Sequence, residues 1–332
     1  MVRSDFRLST FDLRPSTRIM AESWTVLRLL TWTTEFLKSH GSESPRLDAE
    51  VLLAVARNCE RISLYTAFNE VVSDETRAAF RDLVKRCGEG TPVAYLVGKR
   101  EFYSLNFRVT PDVLIPRPET EFVVVEALDV IGGRKSKVES RTSETENVAE
   151  DPQTSTFDLR QCLIADVGTG SGAIAVAIAK HAQAAHIVAV DISPEALAVA
   201  KENAAAHQVA DRIEFVQGDL LLSVPPQARF VVIASNPPYI GEHELESLPA
   251  DVRNHEPRQA LIAGPTGTEI IERLIPQAAE RLLPRGWLIM EISPMIAGRT
   301  VELIAKDGRY EPALITKDLA GLARVVKARR KA

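Results

Sequence analysis

The chain has 332 residues, which at roughly 150 residues per domain suits about two domains. Hydrophobic residues at 45% and charged residues at 26% describe a globular protein with a real core, and a net charge of -5 argues against affinity won mainly by neutralising phosphates. No apolar run reaches the ~18 residues of a membrane span, and three scattered cysteines without a CxxC spacing (Cys59, Cys87, Cys162) exclude a disulfide scaffold or zinc site and fit a reducing, cytoplasmic setting.

Residues 1–22 mix Arg3, Arg7, Arg14 and Arg18 with Ser, Thr and Asp and hold no apolar stretch of signal-peptide length. They read as a disordered tail, as an extension ahead of a start at Met20, or as a targeting segment. From 24 to 40 a helical spacing places Leu27, Leu30, Phe36 and Leu37 on one side and stops at Gly41. Ser44-Pro45 opens a second helix, as cap and first-turn proline, with a stripe of Leu47, Val51, Leu52 and Val55. Ser73-Asp74-Glu75 opens a third that carries Phe80, Leu83 and Val84 to Gly88, and Thr91-Pro92 opens a short fourth. Residues 23–98 thus form a small helical bundle with no chemistry of its own, a packing or partner-binding module.

Phe102, Tyr103, Leu105, Phe107 and Val109 then give strand character on both sides of Ser104, so 99–114 reads as a hairpin linker. In Ile115-Pro116-Arg117-Pro118-Glu119-Thr120-Glu121 the prolines hold the chain extended and then admit a helix with Phe122, Val125 and Leu128 on its buried side. Between 132 and 158 the sizeable apolar residues are Val138, Val148 and Phe157. Such a stretch buries too little to offset its ordering entropy and reads as a flexible insertion.

From 163 onward strands (163–167, 186–190, 213–216, 230–234, 287–291) alternate with helices (173–182, from Ser193-Pro194 to Asn203, 268–283, 295–306), and 310–316 with 324–328 forms a final antiparallel pair. This is the pattern of an α/β domain, a parallel sheet covered on both faces, whose ligands bind beyond the carboxyl ends of the strands.

Two motifs sit at such ends. The first is Asp166-Val167-Gly168-Thr169-Gly170-Ser171-Gly172. Glycines here let the backbone turn tightly and let a ligand approach the main chain. Gly168, Gly170 and Ala173 also satisfy the dinucleotide fingerprint GxGxx(G/A), and Asp191 ends the next strand, where a ribose-binding carboxylate belongs in either case. The loop alone leaves nicotinamide and S-adenosylmethionine cofactors both open, beside a tight turn with no ligand. Asp219, after the third strand, is either a contact on the adenine side or a solvated loop acid.

The second motif, Asn236-Pro237-Pro238-Tyr239, decides between them. Two prolines remove two N–H donors and freeze the backbone. Acceptors remain, the Asn236 side-chain oxygen and the Pro237 carbonyl, and they match the two N–H donors of a planar –NH2 group. The Tyr239 ring is placed to cover that plane. A nicotinamide oxidoreductase has no use for such a site.

With both motifs in order on their strands, the sequence resembles the class I S-adenosylmethionine-dependent methyltransferases of amino groups. Ser44-Pro45-Arg46-Leu47-Asp48-Ala49-Glu50, the segment 115–121, Asp251-Val252-Arg253-Asn254-His255-Glu256-Pro257 and Lys317-Asp318-Leu319-Ala320-Gly321 narrow the resemblance to the HemK/PrmC family, from about residue 24 to the C-terminus apart from the insertion. The resemblance implies a Rossmann-like, mostly parallel seven-stranded sheet over 115–332, a helical substrate-recognition domain over 23–98, and methylation of N5 of the GGQ glutamine in peptide chain release factors. It implies that Gly168, Thr169, Gly170, Ser171, Gly172, Asp191, Asp219, Leu220 and Asn236 bind S-adenosyl-L-methionine, whose product is S-adenosyl-L-homocysteine. It also implies that Asn236, Pro237, Pro238 and Tyr239 hold the glutamine, with Asn236, Pro237 and Tyr239 catalytic. Many relatives carry an aromatic residue where this chain has Leu220. The expected protein is a monomer with a protein substrate, no metal, no membrane and no direct nucleic-acid contact. The alternative, an adenine-N6 methyltransferase of DNA or RNA, shares NPPY but calls for a basic target-recognition domain that this acidic chain does not display.

Overall fold

In a computed structural model of the chain, residues 23–132 and 163–332 are described, and they fall into two compact units that divide between Gly88 and Glu89. The expectations for 1–22 and, beyond Gly132, for 132–158 lie outside the described residues.

The first unit is helical: α1 (Val26–Ser39), α2 (Pro45–Ala56), α3 (Ser63–Thr66) and α4 (Asp74–Gly88). Thr25 caps α1 by accepting from Arg28 N at 3.3 Å. The face that α1 buries is Val26, Leu29, Leu30, Thr33 and Leu37, whereas Leu27 is 44% exposed, so the expected stripe is rotated by part of a turn. Leu47 and Val55 of α2 are likewise exposed; Leu52 is buried as expected, and Ala49 and Leu53 join it in the core. Glu50 is buried among them because Arg46 and the Tyr65 hydroxyl satisfy its carboxylate, the first at 2.7 Å and the second at 2.9 Å.

The second unit opens with α5 (Val93–Val97) and the hairpin β1 (Lys99–Phe102) and β2 (Leu105–Arg108). Its two turn residues, Tyr103 and Ser104, sit at φ 50° and 58°, the left-handed pair that joins twisted strands without splaying them. Phe102 and Phe107 are fully buried in the core of this unit with Val123, Val124 and Ala127. Asn203 fixes the hairpin further: its Oδ1 accepts from Arg108 N at 2.7 Å, and its Nδ2 donates to Arg108 O at 3.0 Å and to Ser171 O at 2.8 Å. The hairpin is therefore an integral part of the second unit's core.

A 3-10 turn at Pro118–Thr120 leads into α6 (Glu121–Ile131), which buries Val123, Val124, Glu126, Ala127 and Ile131; Val125, expected inside, is 39% exposed. Then come β3 (Leu163–Val167), α7 (Ala173–His181), β4 (His186–Asp191), α8 (Pro194–Ala206), β5 (Ile213–Gln217) and β6 (Phe230–Ser235). A small excursion follows: β7 (Ile240–Gly241), α9 (Ala250–His255), α10 (Arg258–Leu261) and β8 (Ile262–Gly264). The chain closes with α11 (Glu269–Arg281), β9 (Leu282–Glu291), α12 (Ala297–Asp307), β10 (Leu314–Lys317) and β11 (Ala323–Arg329). The main sheet has the order β10-β11-β9-β6-β3-β4-β5. β5, β4, β3, β6 and β9 run parallel, β11 runs antiparallel to β9, and β10, antiparallel to β11, returns to the direction of the five. β3 and β6 are neighbours at the centre, so the two loops that follow them open side by side. Among the described residues no helix is long and apolar enough to cross a membrane.

Candidate active site

The loop after β3 turns at Gly168, where φ is +72° and an added Cβ would lie 3.9 Å from the Asn236 carbonyl oxygen. The two loops thus meet through backbone, and only a residue without a side chain holds that conformation cheaply. At Gly172 (φ +81°) an added Cβ would meet Ala200 of α8 at 3.1 Å, so this glycine is also required where α7 packs on α8. Asp166 lies fully buried beneath the turn. Its Oδ2 accepts from the Thr169 hydroxyl at 2.6 Å and from Ala175 N at 3.0 Å, while Oδ1 is a buried acceptor without a partner. Burial pushes this carboxyl up to about 7, against the pull of those two hydrogen bonds.

Asp191, at the end of β4, faces the same loop. Gly170 N donates to its Oδ2 at 2.8 Å and Ser193 N to its Oδ1 at 3.0 Å. Its pKa is raised, chiefly by burial. Each oxygen keeps lone-pair capacity after its backbone bond.

A cavity of about 500 Å³ opens over these loops. Gly168, Thr169, Gly170, Ser171, Asp191, Asp219, Leu220, Asn236 and Pro238 all line it, so the structure gathers both predicted motifs around one space. Gly172, Pro237 and Tyr239 stand behind that lining. Asp219 is ion-paired with Arg273 of α11, which also borders the cavity. Leu220 sits at φ +54°, a conformation costly for a leucine, and presents an aliphatic wall.

The loop after β6 is held by side chains from distant segments. Asn236 Nδ2 donates to Thr120 Oγ1 at 3.0 Å, the Thr120 hydroxyl donates to Glu291 Oε2 at 2.6 Å, and the Tyr239 hydroxyl donates to Glu291 Oε1 at 3.1 Å. Glu291 ends β9, beside β6, and is 2% exposed. Burial pushes its carboxyl up to about 7, with Thr120 and Tyr239 opposing and the Glu119 charge adding to the rise. Burial and the Glu291 charge raise the Tyr239 phenol above its usual range, so it stays protonated and donating.

A second tie joins the 115–121 segment to the excursion. Arg117 pairs with the buried Glu256 at 2.5 Å, and Ile115 N donates to the same carboxylate at 3.4 Å. This pins the chain just ahead of α10, where Pro257 before the helix and Gln259 within it line the cavity. Sequence reasoning assigned no role to Thr120, Glu291, Arg273 or the Arg117–Glu256 pair. The available signal was an acid closing a sheet strand, Glu291 at the end of β9, just as Asp191 ends β4.

The lining carries acceptors, the Asp191 carboxylate and the Asn236 amide oxygen. It fits a ligand bearing hydroxyl and amine donors, beside a backbone that glycine keeps open.

A family model described as the PrmC N-terminal domain matches residues 28–98, and one described as the methyltransferase small domain matches residues 154–251. The release factor glutamine methyltransferase of Rhodopirellula baltica is 50% identical over 307 residues, spanning 92% of this chain and 97% of that protein. Proteins of the same name from Koribacter versatilis and Geobacter sulfurreducens are each 37% identical, over 89% and 93% of this chain and 94% and 98% of their own lengths. Among solved structures, the hMettl16 catalytic domain, in complex with MAT2A 3'UTR hairpin 1, matches with a TM-score of 0.50 at 15% identity, over 76% of this chain and 80% of that one. That likeness is one of fold, a methyltransferase catalytic domain.

Proposed function

The chain belongs to the release factor glutamine methyltransferase family, and from that premise we propose that it transfers a methyl group from S-adenosyl-L-methionine to the side-chain amide nitrogen, N5, of the GGQ glutamine in a peptide chain release factor, leaving S-adenosyl-L-homocysteine. The observation that carries this reading is the single cavity onto which the glycine loop, Asp191 and Asn236 all open.

When bound, S-adenosyl-L-methionine supplies an electrophilic methyl on a sulfonium that departs as a neutral thioether. Gly168, Thr169, Gly170 and Ser171 would hold it by backbone, with Gly172 setting the turn. Asp191 has acceptor capacity left for two ribose hydroxyls, and Asp219 and Leu220 flank the adenine side. Asn236 Oδ1 and the Pro237 carbonyl accept the two N–H groups of the glutamine amide. A carboxamide nitrogen is a poor nucleophile because its lone pair is delocalised, so alignment carries most of the rate. The same two acceptors favour the positive charge that develops on nitrogen. Pro238 keeps the loop rigid, and Tyr239, anchored at Glu291, covers the amide plane. No side chain is assigned as general base; the proton leaves to water after transfer. The helical unit serves release-factor recognition. A monomeric state, a cytoplasmic location and the absence of direct nucleic-acid contact belong to the same proposal.

Incubation with labelled S-adenosylmethionine and a purified release factor, followed by mass spectrometry, tests the reading. The label is expected on the GGQ glutamine. Label on adenine of added DNA or RNA, lost steeply with salt, would replace it with a nucleic-acid reading.

A further inference from the structure

Asn236 can serve a substrate amide only if its oxygen, and not its –NH2, faces that amide. The two ends of an asparagine side chain are nearly equal in size, so packing does not choose between them; hydrogen bonding does. An ionised Glu291 only accepts. It takes the one hydrogen of the Thr120 hydroxyl at 2.6 Å, which leaves Thr120 Oγ1 with lone pairs alone toward Asn236. Asn236 meets them with Nδ2 at 3.0 Å. Its oxygen is then the end left for the cavity it lines.

We propose that Thr120 and Glu291 are positioning residues: by running the hydrogen bonds from Asn236 through Thr120 to the carboxylate, they fix which end of the Asn236 amide meets the substrate glutamine. This rests on the glutamine-methylation reading. The device is directional. A proton on Glu291 makes it a donor to Thr120, whose hydrogen then points at Asn236; the amide must turn over, and it opposes the substrate N–H with an N–H of its own.

Among the described residues, these groups act on Glu291. The turn before α6 brings Thr120 and the Glu119 charge, the NPPY loop brings the Tyr239 phenol, and β11 brings the Arg324 guanidinium, which lowers the pKa. Arg117 acts on Tyr239 from the same turn. α6, also packed on β9, commits Glu126 to Lys327 at 2.6 Å. With burial dominant and the carboxyl at about 7, turnover falls as pH drops through neutrality.

The test measures kcat of the full-length chain on a release factor, saturated with S-adenosylmethionine, from about pH 6 to about pH 9. Thr120→Val should lower kcat about tenfold and flatten the acid limb, while calorimetry shows the S-adenosylmethionine affinity of the wild type. Thr120→Ser should restore both rate and limb. Glu291→Gln keeps the size of the side chain, cannot titrate and offers Thr120 a donor as the protonated acid does, so it should hold turnover at the low acid-side level across the whole range, with no acid limb; it carries the test if Thr120→Val does not fold. An unchanged rate and profile in Thr120→Val overturns the positioning role, as does a serine variant no better than valine or an acid limb that persists in Glu291→Gln. A wild-type chain that leaves the release factor unmethylated overturns the parent reading instead, and this one with it.

Discussion

The loop after β3 and the loop after β6 line one cavity, but different forces hold them. The glycine loop is fixed by near neighbours: Asp166, Thr169 and Ala175 lie within a few turns of it, and Asp191 arrives from the next strand with backbone N–H groups on both oxygens. The NPPY loop is rigid along its own backbone, yet its chemical end, the Asn236 side chain, takes its orientation from Thr120 and Glu291, which lie far from it in sequence on either side. A binding loop can be built locally because backbone amides have fixed directions. A loop that must aim a symmetric-looking amide needs an outside reference.

That contrast is sharpest at Asn236. Asn236→Ala should reduce methyl transfer by about a hundred- to a thousandfold, since one preorganised polar group is lost at the reacting nitrogen, while S-adenosylmethionine affinity falls only modestly. Asn236→Asp, which keeps an acceptor, should retain more turnover than alanine. Single-turnover assays set beside calorimetry separate the two effects, and near-wild-type transfer by the alanine variant would move the active site elsewhere.

Asp191→Ala should reverse the pattern. Hydrogen bonds to a charged group are worth roughly 1.5–3 kcal/mol, so S-adenosylmethionine affinity should drop about tenfold to a hundredfold. Unchanged affinity by calorimetry would shift the ribose contact to another residue.

Asn203→Ala tests whether the glycine loop is as local as it looks. Asn203 is 1% exposed and makes three bonds that tie β2 to the Ser171 carbonyl. Its loss leaves the buried Ser171 carbonyl and the part-buried Arg108 backbone groups without their partner and should cost about 1–3 kcal/mol of stability in urea unfolding. A cost near zero would mean that water replaces the amide.

The smallest effect is expected at Asp166. Its folded pKa of about 7 stands above the unfolded carboxylate value, so the folded state holds the extra proton, and the stability this contributes is lost as pH rises through about 7. Asp166→Asn cannot ionise. Its melting temperature relative to wild type should therefore climb between acid and alkaline pH, and a constant gap would show that the buried carboxylate is better solvated than its partners suggest.

How much was legible follows the same division. Periodicity located the alternating strands and helices of the second half, and the apolar residues on both sides of Ser104 located the hairpin, but faces were harder. Leu27, Leu47 and Val125 read as buried and are exposed, because which side of an apolar helix turns inward depends on what lies across from it. Helix α11 ends at Arg281 and β9 starts at once, so a predicted helical end at 283 is strand; Leu282 pairs with Phe230 of β6, a partner that no local window contains. The short elements between β7 and β8 went unread for want of period, although the Asp251-to-Pro257 segment within them was singled out by resemblance.

The sequence by itself determined that two motifs follow strands of a parallel sheet, that one turns on glycines and that the other lacks two N–H donors and keeps its acceptors. Each follows from residue type and short spacing: glycine has no Cβ, proline has no N–H, and a carboxylate only accepts. Only the tertiary structure decided that β3 and β6 are neighbours, that Glu256 anchors Arg117, and that a buried Glu291 orients Asn236 through Thr120. Those pairings depend on strand order and burial. A hydrogen bond between groups far apart in the chain gains its strength and direction only once folding has brought them together and removed the water that would otherwise serve both.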